Sequence, residues 1–233
     1  IQNENSKVYI HCKGGHGRSG ILVACLLYLL NPGINTYEAI KLTTEAHSRR
    51  LVMREKWRKM GSPQTYYQKK FVHKIFTNLF FFKAYRTGAT VGFSNYSFHE
   101  ITVSNHHNPF LPDGIFPTSE ALFQASKKAD DTSYVQRQIQ SKSPKVSKNI
   151  AQRIAVSKEW YENKEKIMKD IILLKFDQHE QLRGTLVRTG LRKIIFNSRH
   201  DDFFGTGQDQ SGRNILGKIL QDLRGEYQRL LLV

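Results

Sequence analysis

A cysteine and an arginine, separated by five residues, stand near the start of the chain in the segment HCKGGHGRS, and a serine follows the arginine at once. A loop of inward-pointing N–H groups at a helix N-terminus would lower the pKa of Cys12 and hold phosphoryl oxygens. Arg18 can grip two of those oxygens at once. Ser19 can hydrogen-bond the thiolate when it leaves a phosphocysteine. The spacing therefore predicts phosphoryl transfer to Cys12.

The neighbouring residues predict how this loop is held. Gly14, Gly15 and Gly17 permit tight or positive-φ turns without a Cβ clash, and their N–H groups would contact phosphate. Val8–Ile10 is typical of a short strand, and Ser19–Leu30 of a helix that the segment NPG closes. The apolar run in that helix is too short to span a bilayer, so we expect a buried helix and no membrane association.

This segment resembles the phosphate loop of the cysteine-dependent tyrosine and dual-specificity phosphatases. The resemblance makes Cys12 the nucleophile, Arg18 the phosphate-binding arginine, Ser19 the assisting hydroxyl and His11 the residue that steadies the loop. QTYYQKKFV (64–72) resembles the closing helix of small members. In that family most strands, and the Asp that acts as general acid, precede the loop. We therefore expect residues 1–82 to be the C-terminal half of such a domain, with poor phosphatase turnover.

A second group of polar residues lies in the later part of the chain. Glu120 follows the segment PTS at the start of a predicted helix, where a carboxylate either points into a cleft or complements the helix dipole. Asp201 lies in a long loop rich in Gly and polar residues (196–214), and loops of that length inside a domain are usually functional. Asn95 in FSNY is a candidate polar contact.

Residues 83–233 resemble the NADAR family across nearly their whole length. The resemblance rests on GFSNY (92–96), FPTSEALFQASK (116–127), SKEWYENKEKIM (157–168), LKFDQHEQLRGTLVRTG (174–190), DDFFGTG (201–207) and GRNILGKIL (212–220). It implies hydrolysis of an N-glycosidic bond at a ribose anomeric carbon. The implied substrates are ADP-ribosylated guanine in nucleic acid or a related N-ribosyl, nucleotide-like compound.

The resemblance also implies roles for individual residues. Glu120 would stabilise charge at C1 or activate water, and Asp201 would orient a ribose hydroxyl or assist the base. Trp160 either stacks on a base or packs in the core. The chain departs from the family at two positions, with Ala121 in place of a frequent His and Phe204 in place of a frequent Trp. Three further ligand contacts are expected in the loop 196–214, at Gly205, Gly207 and Asn214. Asn214 is equally a candidate cap of the helix that follows.

Charge and cysteine content narrow the class of protein. The 233 residues include 36 Lys+Arg and 20 Asp+Glu, a net charge of +16 that is spread over both halves. Such a charge attracts phosphates, nucleotides or nucleic acid, or else reflects solvated lysine faces. The 2 cysteines form no disulfide framework, which favours an intracellular protein. We expect no metal and no cofactor, and a surface location for the pair His106–His107.

The pattern of elements predicts an α+β chain of two domains. Residues 1–82 form a truncated α/β phosphatase-like segment, and residues 83–233 a mostly helical domain with a small β element. Loops with one or two short strands are predicted for 86–118. Helices are predicted from Thr65 to Phe82, from Ser119, and over 133–140, 144–156, 158–175, 178–186 and 212–229.

Three functions remain open on this basis. The first is an N-glycosidase that acts through Glu120 and is fused behind a phosphatase-like module. The second is a dual-specificity protein phosphatase, acting on a phosphoprotein, whose C-terminal domain only binds ADP-ribose. The third is a binding protein that reads phosphate and ADP-ribose at its two sites.

Overall fold

The computed structural model describes residues 9–31, 33–82 and 90–230. The chain divides between Thr77 and Asn78 into two compact units, which are described separately. This division lies a few residues before the domain boundary predicted from the sequence. Of the helices in the described residues, none combines the length and apolar character needed to cross a membrane.

The first unit is helical where it is described. Asn35 accepts a hydrogen bond from the Glu38 N–H, and Thr65 forms a capping box with Gln68, so two helices begin where their side chains satisfy free N–H groups. The first, second and fourth helices together supply a small core of Ala24, Cys25, Ile40 and Val72. The helices are α1 (Arg18–Leu30), α2 (Thr36–Ser48), α3 (Glu55–Met60) and α4 (Tyr66–Phe76).

Two expectations about α1 and the segment before it need correction. The helix forms as predicted, but it is not a buried helix, because Leu22, Leu29 and Leu30 are 48%, 51% and 74% exposed. Small side chains such as Ala24 make its buried face. The predicted strand Val8–Ile10 is not formed at Tyr9 and Ile10, which have no strand partner among the described residues, and Val8 lies outside them.

The second unit holds both small sheets. The strands are β1 (Leu79–Phe81), β2 (Ile101–Val103), β3 (Gly114–Phe116) and β4 (Ile194–Phe196). β1 pairs with β4 in parallel, and β2 pairs with β3 antiparallel. The helix predicted from Thr65 to Phe82 is therefore wrong beyond Phe76. Long-range pairing with β4, in which Leu79 N donates to Lys193 O at 2.7 Å, overrides the local helical spacing.

Helices far outweigh strands in the described residues of the second unit, and this confirms the α+β class. Thr118, Asp131, Ser143 and Ser157 cap four of them by accepting backbone N–H bonds. Their apolar faces enclose an aromatic and aliphatic core that includes Phe93, Phe116, Phe176, Ile171 and Leu216. The helices are α5 (Ser119–Ala125), α6 (Thr132–Ile139), α7 (Pro144–Ala151), α8 (Lys158–Gln178), α9 (Glu180–Val187) and α10 (Ile215–Leu230).

Candidate active site

A pocket of about 210 Å³ in the second unit brings together three of the residues singled out in the sequence, Glu120, Asp201 and Asn95. They come from the start of α5, from the loop after β4 and from the loop before β2. Aromatic and apolar side chains complete the walls, and two lysines also line the pocket. Its remaining lining residues are Ser94, Tyr96, Phe123, Gln124, Lys127, Lys148, Met168, Phe196 and Phe204.

Glu120 is fixed at the pocket by its helix and by its neighbours. The Thr118 hydroxyl accepts a hydrogen bond from the Ala121 N–H at 3.1 Å and so sets the start of α5. The Glu120 N–H donates to the Asn95 carbonyl at 3.0 Å, and Gln124 Nε2 donates to Glu120 Oε1 at 2.8 Å. The side chain is only 7% exposed. A carboxylate in such a place interacts with charge in the pocket more strongly than it would in water.

The charge of Glu120 influences the pKa values of two neighbouring side chains, Tyr96 and Lys127. Burial raises the pKa of Tyr96, and the nearby Glu120 carboxylate raises it further, so this phenol keeps its proton at neutral pH. Burial lowers the pKa of Lys127, the Glu120 charge opposes that shift, and Lys148 adds to it. The pocket therefore combines a buried carboxylate with two cationic side chains.

Lys127 and Lys148 were not among the residues predicted from the sequence. A signal for Lys127 was present, because Glu120, Phe123, Gln124 and Lys127 have the 0, 3, 4, 7 spacing of one helical face. α5 and the 3₁₀ turn Ser126–Lys128 carry that face onto the pocket. Lys148 lies on α7, and its approach to α5 depends on tertiary packing that no local pattern indicates.

Lys175 does not line the pocket but holds the loop that contains Ser94 and Ser97 by hydrogen bonds. It is completely buried, and its Nζ donates to Ser94 O at 2.9 Å and to Ser97 Oγ at 2.7 Å. Burial lowers the pKa of Lys175 to about 7. Because Ser94 lines the pocket and Asn95 O accepts the Glu120 N–H, this lysine holds the loop that positions Glu120. A lysine inside the apolar stretch IILLKF was the signal available in the sequence.

Asn95 offers hydrogen-bonding capacity to a ligand. Its Nδ2 lies 3.4 Å from Met168 Sδ, toward which it donates. Its Oδ1 is buried and has no hydrogen-bond partner among the described residues. Because buried polar atoms are normally satisfied, an acceptor left over at a pocket wall indicates a place for a ligand donor.

Asp201, in the loop after β4, lines the pocket. The two glycines of the same loop that were expected to contact the ligand do not line it. Asp201 Oδ1 accepts the N–H groups of Phe203 at 3.2 Å and of Phe204 at 2.8 Å, which shapes the turn. A Cβ on Gly205 would lie 2.8 Å from Asp201 O, and Gly207 has φ +69°, so both positions need glycine for the backbone path.

Asn214 and Trp160 also lie outside the pocket lining. Asn214 accepts from the Phe196 N–H and donates to Ile194 O, each at 2.9 Å, and so fastens β4 to the start of α10. Trp160 is 4% exposed, and its Nε1 donates to Ser126 Oγ at 2.9 Å. Trp160 therefore packs in the core, which is one of the two alternatives that the sequence left open, whereas the Asn214 side chain bonds to β4 and does not cap α10 as the sequence had suggested.

The loop of the first unit has the geometry of an activated cysteine. Cys12 Sγ lies 3.3 Å from Ser19 Oγ. The Ser19 hydroxyl, followed by the Ser19 N–H, lowers the pKa of Cys12 to about 6; burial opposes this, and the N–H groups of Gly15 and Gly14 add to it. The thiolate is therefore the main form at neutral pH.

Two glycines of this loop shape its backbone, whereas the side chains of Arg18 and His11 are exposed. Gly15 has φ +66°, which favours glycine, and a Cβ on Gly17 would lie 2.6 Å from Gln68 Nε2, so that a larger residue there would displace this side chain. Arg18 is the first residue of α1 and is exposed. His11 is exposed, and its ring stacks on Tyr9 with centroids 5.3 Å apart.

The second unit also contains a cluster of possible metal ligands and a second, open groove, and neither includes residues of the Glu120 pocket. His106, His107 and Asp170 approach each other closely enough to suggest a metal site. However, the Asn108 N–H donates to His106 Nδ1 at 3.0 Å, which leaves the hydrogen of the neutral ring on Nε2 and disfavours ligation there. A larger, open groove of about 800 Å³ is lined by residues of α9 and α10, and it includes none of the predicted site residues.

Comparisons with known proteins match the two units to two families. Residues 80–228 match the family model described as NADAR domain. Residues 1–72 match the model described as Swiss Army Knife protein, DSP-PTPase phosphatase domain. N-glycosidase YbiA of Escherichia coli (strain K12) is 34% identical over 119 residues, which are 50% of this chain and 74% of that protein.

Two further matches extend this result. The 197R protein of Invertebrate iridescent virus 6, whose name refers to tyrosine phosphatases, is 26% identical over 221 residues, covering 95% of this chain and 58% of that protein. The solution NMR structure of E. coli YbiA matches with a TM-score of 0.56 and 27% identity, over 67% of this chain and 89% of that one. The viral match spans both units, so their order along the chain has a parallel in another protein.

Proposed function

Because the chain belongs to the NADAR family, and joins an N-glycosidase-type hydrolase unit to a phosphatase-type segment, we propose that the pocket at Glu120 hydrolyses an N-glycosidic bond at C1 of a ribosyl substrate. The observation that carries this proposal is the buried Glu120 carboxylate, which shares a pocket of about 210 Å³ with Asp201 and with the unpartnered Asn95 Oδ1. A site of this kind combines charge stabilisation with hydrogen bonds that orient a sugar.

The proposed reaction is cleavage of the bond between C1 of the ribose and the base nitrogen. The bond between C1 and the base nitrogen breaks, its electron pair leaves with the nitrogen, and C1 develops oxocarbenium character. Glu120 stabilises that charge and accepts a proton from the water that attacks C1, and this proton is passed on to the departing nitrogen, which regenerates the carboxylate. Asp201 Oδ1 is engaged by two backbone N–H groups, so Oδ2 is the atom that would orient a ribose hydroxyl.

Charge supports a phosphate-bearing substrate. Lys127 and Lys148 line the pocket beside Glu120, and the whole chain carries a net charge of +16. Two ammonium groups at one pocket favour the phosphate of a ribosyl phosphate or the diphosphate of an ADP-ribosyl group. The substrate is therefore proposed to be ADP-ribosylated guanine in nucleic acid or a phosphorylated N-ribosyl compound.

The first unit is proposed to carry a second, cysteine-dependent site. Cys12 is the nucleophile, Arg18 binds the phosphate, Ser19 assists the departing thiolate, and the N–H groups of the loop hold the phosphoryl oxygens. The hydrogen bond between Cys12 and Ser19, with the pKa of Cys12 near 6, supports this role. Cys12 and Cys25 are both free thiols, which supports an intracellular protein.

A pair of substrates tests the proposed recognition. We expect the chain to hydrolyse an N-ribosyl amine that carries a 5′-phosphate, with a KM at least about tenfold lower than for the same compound without phosphate, because charge-assisted hydrogen bonds contribute about 1.5–3 kcal/mol. Replacing both lysines, Lys127→Met and Lys148→Met, should remove that difference in KM. Product release is measured by liquid chromatography.

A control separates local recognition from overall charge. Lys158→Met combined with Lys169→Met removes the same charge from positions outside the pocket lining and should retain the preference. Equal KM values for the two substrates with the unmodified chain would contradict phosphate recognition by these lysines. Absence of turnover with both substrates and with an ADP-ribosylated guanine oligonucleotide would contradict the glycosidase proposal itself.

A further inference from the structure

A basic cleft opens beside the phosphate loop of the first unit. It encloses about 670 Å³ and is lined by Gly14, His16, Arg50, Arg54 and Trp57, with Leu51, Val52 and Met53 completing the wall. Among the described residues, no carboxylate lines it. Neither Arg50 nor Arg54 forms an ion pair within the described part of the chain, so both guanidinium groups are available to an anion.

This cleft shares a wall with the phosphate cradle. The N–H groups of Gly14 and Gly15 help to lower the pKa of Cys12, and Gly14 also lines the cleft. The guanidinium of Arg50 lies next to Gly15, where an added Cβ would be 2.8 Å from Nη1. A ligand group in the cleft and a phosphate held at the Cys12 loop would therefore both lie beside the segment Gly14–Gly15.

The wall of the cleft is held in place by several contacts. His16 Nδ1 lies 2.7 Å from His47 Nε2, and the His16 ring stacks on Trp57 at 5.0 Å between centroids. Arg58 donates to the carbonyls of Ser48 and Arg50. Burial, and then the positive charges of Arg50, His16 and Arg58, lower the pKa of His47. Positive charge is thus concentrated at a preformed surface.

We propose that this cleft binds a second phosphate group of a ligand whose first phosphate occupies the Cys12 loop. The guanidinium fork matches two phosphate oxygens, and two arginines at one cleft fit a group that carries more than a single charge. The ligand class is a small molecule with two phosphate groups, joined directly or through a short spacer. This inference rests on the proposed phosphate binding by the Cys12 loop.

Calorimetric titration of the full chain with three probes tests the inference. Inorganic phosphate measures the loop alone, while pyrophosphate and fructose 1,6-bisphosphate place a second phosphate at two different spacings. We expect at least one of the two diphosphorylated probes to bind about tenfold or more tightly than inorganic phosphate. The double variant Arg50→Ala, Arg54→Ala should lose this gain and keep its affinity for inorganic phosphate.

Control variants separate the outcomes. Lys41→Ala with Arg49→Ala removes the same charge from exposed positions of the first unit and should retain the gain. Arg18→Ala identifies the binding that belongs to the Cys12 loop, as opposed to binding at the second unit. If inorganic phosphate binds but neither diphosphorylated probe gains affinity, the second subsite is contradicted and the loop proposal stands. If Arg18→Ala changes no affinity, phosphate binding by the loop is contradicted.

Discussion

The Ser19 side chain is the largest cause of the lowered pKa of Cys12. The Ser19 hydroxyl lies 3.3 Å from Cys12 Sγ and is the leading cause of a pKa near 6. Cys25, in contrast, is buried on α1, and burial raises the pKa of its thiol. The two cysteines of the chain therefore differ in reactivity, because the thiolate is the nucleophilic form.

We predict that iodoacetamide alkylates Cys12 with a pH profile whose inflection lies near 6, and that Ser19→Ala moves this inflection upward. The rates are followed by mass spectrometry of the peptide that contains Cys12. Cys25→Ser is the matched control, since it removes the other thiol and should leave the profile unchanged. An unchanged inflection in Ser19→Ala would show that the hydroxyl does not stabilise the thiolate.

Lys175 is the second residue whose environment has a measurable consequence. Its pKa in the folded chain, about 7, lies below the ordinary value of 10.5. Between these two values the unfolded chain holds a proton that the folded chain has released. The contribution of Lys175 to stability therefore grows as pH rises from about 7 and is lost as pH falls through that value.

We predict that the urea midpoint of the unmodified chain, relative to that of Lys175→Met, increases between pH 7 and pH 9. The methionine fills a similar volume without a titratable group, and Ser94 O still accepts the Ser97 N–H and hydroxyl. Lys169→Met, at an exposed position of the same helix, should follow the pH dependence of the unmodified chain. Parallel curves for the unmodified chain and Lys175→Met would contradict this account.

At the scale of elements, α5 is the helix that forms the site. Thr118 caps it, Glu120 stands in its first turn, and every residue of the helix is buried. An N-cap of this kind contributes about 1 kcal/mol, and here it also sets the direction in which Glu120 points. We therefore expect Thr118 to affect both the stability of the unit and the proposed catalysis.

We predict that Thr118→Ala lowers the free energy of unfolding by about 1 kcal/mol and also lowers glycosidase turnover. Ser157→Ala, which removes the equivalent cap of α8, should cost similar stability and leave turnover unchanged, because the first turn of α8 does not line the pocket. Denaturant unfolding and initial rates provide the two readouts. Equal turnover in the two variants would contradict a positioning role for Thr118.

Sequence patterns predicted helices well where capping residues mark them. Thr65, Thr118 and Ser143 each precede a helix and bond to its first N–H groups. The same reasoning failed at β1, because the apolar residues after Phe76 continue the helical spacing, while their pairing partners lie more than a hundred residues later, at Ile194–Phe196. Pairing at that distance along the chain leaves no local signal.

The site was predictable to a similar degree. Glu120, Asp201 and Asn95 were identified from their local motifs together with the resemblance to the NADAR family, and the structure brings them to one pocket. Lys148 and Lys175 were not identified, because one reaches its place through helix packing and the other is a buried cation in an apolar helix. Gly205 and Gly207 belong to the shape of the backbone, which explains why the motif contains them without their lining the pocket.

On the scale of the whole molecule, the chain consists of two units with separate cores and separate sites. The core of the first unit is a small cluster around Ala24 and Val72, whereas that of the second is a large aromatic and aliphatic core. Arg50 and Arg54 line a cleft of the first unit, and Lys127 and Lys148 line the pocket of the second, which is consistent with the net charge of +16. We therefore propose to assign N-glycosidic hydrolysis to the second unit alone.

The most direct test of this assignment is the turnover of an ADP-ribosylated guanine oligonucleotide and of a phosphorylated N-ribosyl amine by four forms of the chain. These are the unmodified chain, Glu120→Gln, Cys12→Ser and Glu162→Gln, the last a matched change at an exposed residue paired with Lys158. We predict that Glu120→Gln lowers turnover at least about a hundredfold, as expected for loss of a catalytic carboxylate, and that the other two variants retain it. Retained turnover in Glu120→Gln, with the fold verified by circular dichroism, would contradict the account.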